Sequence, residues 1–391
     1  MKNPFEFGRA LTSSELVDRR DELAEVTAAL LAPSKLFLIG PRRHGKTSIL
    51  RAAEHDAEHV GAVVLRYDAE AFPTLHQLAE RVLADATRQL TPTIEKAGNA
   101  LRDLFSRLRP QATFDSLTGE WSVSLSAASA RSPIPLLADV FDGIERLASR
   151  SRIPVAIILD EFQKVVEEGG PSAEAQLRAA VQQHKHLGYV FAGSKTRLLA
   201  DMTSDPNRPF YKLGKVLFLG AIPRAEFAHF LERGLAAGNI GVDPGATDAI
   251  MDAAEDVPYN VQLLAHECWN RCREAPGRSK SGPMPTKLTA EIVRETRDII
   301  ALRSDPNYTQ LWTRLSSIQQ RSLLALLREK GIGLATNAVA KRYDIAIATL
   351  ANSLRLLETK GIVRAEQARG AVRLRLEDPF FGAWITLTIP V

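Results

Sequence analysis

The sequence lacks what several large protein classes require. It has two cysteines, Cys268 and Cys272, too few for a disulfide framework. Its longest apolar runs, such as Val155 to Leu159, fall far short of the roughly 20 residues that span a bilayer. The opening stretch, Met1 to Gly8, has no apolar core of the kind a secretory signal carries. With 24 Gly and 21 Pro in 391 residues, nothing is collagen-like or low in complexity. There is no internal repeat and no G-x-S-x-G elbow of a serine hydrolase. These absences lead to the expectation of a cytoplasmic, reducing setting without a membrane.

What is present is globular. Hydrophobic residues make up 45% and charged residues 25% of the chain. At roughly 100–200 residues per domain, the length predicts two or three domains. The net charge of +4 is unevenly spread: residues 306–391 carry 12 Lys and Arg against 6 Asp and Glu. A nucleic-acid or acidic partner is therefore to be sought in that last quarter.

Apolar segments at Ser34–Ile39, Gly61–Tyr67, Val155–Leu159, Tyr189–Ala192 and Val216–Leu219 alternate with amphipathic helical stretches. This predicts an α/β domain with a mainly parallel sheet. Phe114 to Leu125 reads as a hairpin or an extended insertion, within an insertion at about 90–130, and a helix is predicted over 172–186. After Pro223 the pattern is helical, at about 223–237, 244–255, 258–274 and 287–303, with a solvated loop over 275–286.

The strongest motif is Gly40-Pro41-Arg42-Arg43-His44-Gly45-Lys46-Thr47, which fits G-x-x-x-x-G-K-[ST] between a strand and a helix. The glycines let the backbone wrap a phosphate chain with N–H groups pointing inward. Lys46 reaches the β- and γ-phosphates and the Thr47 hydroxyl ligates Mg²⁺. The dipole of the following helix, with Ser48 in its first turn, favours the same anion. Arg42 and Arg43 are placed on the rim of the loop, the alternative being contact with the γ-phosphate. Val155 to Leu159 then ends in Asp160 and Glu161. Asp160 is the expected Mg²⁺ partner through water, and Glu161 the base that activates the attacking water. Gly193-Ser194 ends the next strand, where a polar side chain lies beside the γ-phosphate; a plain turn is the alternative. His184 and His186 read as surface histidines, and Cys268 and Cys272 as one buried helix face rather than a zinc site.

Gln319–Arg328, Thr336–Arg342 and Ala346–Lys360 read as three helices. They are followed by two alternating strands around Gly370, which makes a winged helix-turn-helix. Its third helix would enter a major groove with the face Ala346, Thr349, Asn352 and Ser353. Arg364, Arg369, Arg373 and Arg375 on the hairpin would meet phosphates of double-stranded DNA. The alternative is a wing that docks protein, since the helix face is poor in arginine.

Taken together, several segments resemble one group. They are Asn3-Pro4-Phe5 to Gly8, the box Val17 to Leu23, the phosphate loop, Leu159-Asp160-Glu161-Phe162-Gln163, Gly193-Ser194 and Asp378-Pro379-Phe380-Phe381. The chain is similar over its length to archaeal-type AAA+ ATPases related to the Orc/Cdc6 initiators and bordering the STAND NTPases. The resemblance implies an ATPase core over 1–222, a helical lid over 223–304 and a winged helix over 305–391. It implies ATP or ADP with Mg²⁺, an adenine pocket shaped by the lead-in and Arg19, and Pro258 as the lid residue near the nucleotide. It also implies nucleotide-dependent homo-oligomers. Asn260 stands where related initiators carry a sensor-2 arginine, and Asp256 where the family has Gly, so hydrolysis is expected to be slow. Arg208 is the arginine-finger candidate, with Lys212 competing; the alternative for both is a solvated charge. The functions implied are an ATP-hydrolysing protein whose nucleotide state controls assembly and DNA binding, or a STAND-like signalling or defence switch whose wing docks protein. A scaffold without turnover is a weaker third reading.

Overall fold

The computed structural model describes residues 2–90, 110–115, 120–125, 133–194, 196–273, 287–368 and 371–389. Most of the expected insertion at about 90–130, the loop over 275–286, Arg369 and the Gly370 turn lie outside them. The chain forms two compact units, Gly8–Pro223 and Met1–Phe7 with Arg224–Val391.

In the first unit the strands are β1 (Lys35–Ile39), β2 (Val63–Asp68), a separate hairpin of β3 (Pro110–Asp115) and β4 (Glu120–Leu125), then β5 (Val155–Asp160), β6 (Leu187–Gly193) and β7 (Lys215–Phe218). Of the two readings of Phe114–Leu125, the hairpin is the one observed, in antiparallel register. The other five strands make one sheet, in the order β2-β5-β6-β1-β7, with every pairing parallel. The helices are α1 (Arg20–Leu31), α2 (Lys46–His59), α3 (Leu75–Leu90), α4 (Pro133–Ala148), α5 (Gln163–Gln183) and α6 (Thr196–Ser204).

Side chains alternate across a strand, so each strand feeds two cores. Phe37, Leu65, Ile157 and Phe191 pack with Leu78 and Val82 of α3, Phe141 of α4 and Leu177 of α5. Leu38, Val64, Ile158 and Val190 pack with Leu30 of α1 and Ile49 of α2. A sheet covered on both faces needs continuous apolar strands, and every residue of β5 is buried.

α5 begins at Gln163, well before the predicted 172. Gly170 lies at φ +68° with Pro171 behind it, so two helical segments meet at a kink. Proline removes a helical donor, and a Gly-Pro pair reads as a stop in sequence. His184 is buried rather than on the surface. Its Nδ1 lies 2.6 Å from the Tyr189 hydroxyl and its Nε2 2.8 Å from Asp142, which satisfies both ring nitrogens.

In the second unit α7 (Arg224–Ala237), α8 (Ala246–Ala253), α9 (Pro258–Arg273) and α10 (Ala290–Arg303) are joined by a short parallel pair, β8 (Gly241–Val242) and β9 (Lys287–Leu288). The N-terminal residues strap onto these helices. Asn3 Nδ2 donates to His266 O and to Asn270 Oδ1, while buried Phe5 meets Phe230 edge to face. Then come α11 (Asp305–Thr313), α12 (Ser317–Arg328), α13 (Asn337–Arg342), α14 (Ile347–Thr359), the antiparallel β10 (Val363–Ala368) and β11 (Ala371–Leu376), and α15 (Pro379–Thr388). Helices α12 to α14 with the hairpin make the arrangement of a winged helix.

The sequence reading missed α11 and α15. They pair through aromatic rings, and the Trp384 indole N–H donates to Asp305 and the Tyr308 hydroxyl to Asp378. α11 is short and packs only Tyr308, Leu311 and Trp312 inward, while α15 is apolar nearly all round, so neither reads as an amphipathic helix, yet both close the core beside Leu323 and Leu354. Ser353 does not belong to an exposed face: it is buried and its hydroxyl pairs with Ser322 at 2.8 Å.

Candidate functional site

Three strand ends of the first unit build the site. After β1, Gly40 passes so close to the β7 exit that a Cβ there would lie 2.8 Å from the Leu219 carbonyl. Only glycine fits that crossing. Arg43 and Gly45 then turn left-handed, at φ +64° and +92°, and α2 starts at Lys46. This curl is what lets successive N–H groups face an anion. Lys46 is buried, and its Nζ donates to the loop's own carbonyls at Gly40 (2.9 Å) and Pro41 (3.0 Å). His44 is buried with Nδ1 2.8 Å from Arg42 O. Arg42 is exposed and reaches Ser194 Oγ and Glu70 at 3.5 Å, on the rim. Pro41 serves through its carbonyl. Ser48 Oγ accepts the Leu11 N–H at 3.1 Å, which ties the chain ahead of α1 to the first turn of α2.

The β5 end faces this loop. Thr47 Oγ1 donates to Asp160 Oδ2 at 3.2 Å. Burial, then the adjacent Glu161 charge, pushes the Asp160 carboxyl above its usual range. A threonine hydroxyl and a carboxylate converging beside a buried lysine is a donor set suited to a hard divalent cation. Glu161 stands at φ +50°, a strained backbone for a non-glycine residue. Its Oε2 accepts from the Ser194 hydroxyl (2.8 Å), the Ser194 N–H (3.2 Å) and Gln163 Nε2. Burial opposes ionisation of Glu161. The bonds from Gln163 and Ser194 and the charge of Lys46 outweigh it and hold its pKa below the ordinary value. In sequence Gln163 carries no signal beyond the resemblance of the segment Leu159 to Gln163; the fold is what sets its buried amide beside Glu161.

Arg19 is buried, bonded to Glu22 at 2.8 Å and to Gly220 O at 2.5 Å. Arg208 forms a two-pronged pair with Glu174, at 3.1 and 2.6 Å, and Glu174 is only 2% exposed. The Lys212 ammonium sits 5.1 Å from the ring of its neighbour Tyr211. In the second unit Pro258 opens α9, and Asn260 is fully buried with neither amide atom hydrogen-bonded. Cys268 and Cys272 are buried on α9, and no cluster of three or more His, Cys, Asp or Glu suited to a metal occurs among the described residues. Among those residues no helix is long and apolar enough to cross a membrane.

The hairpin arginines differ from expectation. Arg364 and Arg375 stand directly opposite each other, where like charges repel. Glu255, just after α8, meets both, at 3.3 and 3.7 Å, and Glu366 lies 2.6 Å from Arg375. Both guanidiniums are mostly buried against these carboxylates rather than open to phosphates. Arg373 donates to Lys330 O at 2.9 Å.

No family model and no curated relative matches the sequence. Among solved structures, the Walker-type ATPase PABY2304 of Pyrococcus abyssi has a TM-score of 0.60 at 17% identity, covering 98% of this chain and 99% of that one. The ORC2 protein of Aeropyrum pernix, in ADPNP–ADP complexes, has a TM-score of 0.53 at 15% identity, covering 99% and 97%. The likeness to archaeal Orc/Cdc6-type AAA+ ATPases is thus one of fold: an α/β P-loop core with a five-stranded parallel sheet, followed by helices and a winged helix.

Proposed function

We propose that this chain binds and hydrolyses ATP, and that its nucleotide state controls assembly and DNA binding through the C-terminal winged helix. The observation that carries the ATPase reading is the convergence of Thr47, Asp160 and the carboxylate of Glu161 on a lysine-bearing phosphate loop. Mg²⁺, taken by Thr47 and through water by Asp160, would supply positive charge to the phosphates. Lys46 exchanges two neutral carbonyl acceptors for charged phosphate oxygens, which are the stronger partners. Glu161, kept ionised by its donors, accepts the proton of the attacking water. Ser194 holds that carboxylate at the strand end. Arg19 and Pro258 are proposed to border the adenine, and Gly40, Arg43, His44, Gly45 and Ser48 to shape the phosphate cradle.

Arg208 acts as a finger toward a neighbouring subunit only if its bond to Glu174 opens. We therefore place it as a conditional group that assembly would have to release. The proposed division is a core over 1–222, a lid over 223–304 and a winged helix over 305–391, in a cytoplasmic protein.

A second reading is a STAND-like switch, and one observation favours it: Arg364 and Arg375 are spent on Glu255 within the chain. Light scattering of Glu161→Gln with ADP or ATP, with and without duplex DNA, separates the two. ATP-dependent assembly enhanced by duplex supports the first reading. Assembly indifferent to DNA supports the second.

A further inference from the structure

We infer that Gln163 is a positioning residue for Glu161, and that Gly193 is glycine so that Gln163 can reach it. The inference deepens the ATPase reading and rests on it. Gln163 is the first residue of α5 and is 1% exposed. Its Nε2 donates to Glu161 Oε2, while its Oε1 is buried without a hydrogen-bond partner. Leaving that oxygen buried and unpaired costs free energy, which is tolerated where the other end of the amide serves a site.

The slot that holds this amide is made by the last residue of β6. A Cβ on Gly193 would lie 2.1 Å from Gln163 Oε1 and 2.5 Å from Leu199 Cδ1. Neither approach is possible for real atoms, so any side chain at 193 pushes the glutamine off its carboxylate. The backbone is fixed here too, since the Phe162 N–H donates to Ala192 O at 2.8 Å. That bond sets the spacing between residues 161–163 and 193–194.

All three donors on Glu161, one from Gln163 and two from Ser194, fall on the same oxygen. One carboxylate oxygen is anchored and Oε1 is left to accept from a water. A carboxylate fixed by several donors loses its rotational freedom, which is how a base is kept in line with its water.

The test is steady-state Mg·ATP hydrolysis by wild type, Gln163→Met, Gln163→Ala, Gly193→Ala and the double variant Gly193→Ala/Gln163→Met. Thermal melts and binding of a fluorescent ATP analogue show which variants are folded. Methionine keeps the volume and removes the donor. Loss of one hydrogen bond to a charged group predicts about a ten- to hundredfold fall in kcat. KM for ATP is expected to stay near the wild-type value. Gly193→Ala should match Gln163→Met, and the double variant should be no worse than either. If Gly193→Ala does not fold, the two Gln163 variants decide alone. Wild-type turnover that Gln163→Met and Gln163→Ala leave unchanged overturns the inference and spares the ATPase reading. Losses that multiply in the double variant also overturn it. A folded wild type without turnover overturns the reading and the inference with it.

Discussion

Ser194 gives both its hydroxyl, at 2.8 Å, and its backbone N–H, at 3.2 Å, to one oxygen of Glu161. A residue at the end of β6 thereby orients a carboxylate at the end of β5. The two strands pair in parallel register, so the contact follows from the sheet itself.

Replacing Glu161 with Gln removes the proposed proton acceptor and keeps the shape. Turnover should fall about 10²–10⁴-fold, the range of general-base catalysis, while nucleotide affinity persists. Phosphate release beside binding of a fluorescent ATP analogue checks both. Lys46→Ala should show the opposite pattern, with affinity lost first.

The phosphate loop and the two acids were legible in sequence because their chemistry is local: spacing alone puts Lys46 and Thr47 at the start of a helix. The five strands were legible because a doubly covered sheet needs unbroken apolar runs. Gln163 was not, since its role depends on a missing side chain at Gly193, thirty residues on. The burial of Arg364 was not, because its partner Glu255 is more than a hundred residues away. α11 is not legible because its inward residues, Tyr308, Leu311 and Trp312, are few and only half-buried, and α15 because it is apolar on nearly every side and so lacks a polar face to set its period.

Arg208→Ala should destabilise the protein whether or not it is assembled. It leaves Glu174 buried and unpaired. Breaking a fully buried pair costs about 3–5 kcal/mol. Arg208 is 29% exposed, so solvent reduces the loss to about 2 kcal/mol. Urea denaturation of the isolated chain measures it. An unchanged midpoint would mean that Glu174 finds another partner.

The thiols give a pH dependence. Burial pushes Cys268 up to about 12 and Cys272 to about 11, from an ordinary 9.0. The folded thiols then hold protons that the unfolded chain has released. Their contribution is full below pH 9 and is lost as pH rises through 11 and 12, at up to about 1.4 kcal/mol per thiol per pH unit. Thermal melts from pH 8 to 10.5 should show the fall, and Cys268→Ser/Cys272→Ser should flatten it. Native protein at pH 8 should resist Ellman's reagent and react at both thiols in urea.

Glu255→Gln should loosen the hairpin. Arg364 and Arg375 then keep only Glu366 of their two shared carboxylates, so in the DNA-binding reading duplex DNA should bind more tightly at low salt. If both arginines move to phosphates, the slope of log affinity against log salt should steepen by about two. Fluorescence anisotropy over a salt series reads this. Equal slopes for Glu255→Gln and wild type would show that the hairpin does not touch DNA.

The cross-strand pair Arg364–Arg375 has a consequence of its own. Two guanidiniums in direct register are a standing vacancy for negative charge, whatever supplies it. Glu255 and Glu366 supply it from within the chain, and in the DNA-binding reading a phosphate diester would compete for the same place from outside. In that reading the hairpin would be a site of exchange, in which an external anion gains only the difference between itself and a tethered carboxylate. Its affinity would then be set by how firmly residue 255 is held, so a substitution far from any nucleic acid would retune it.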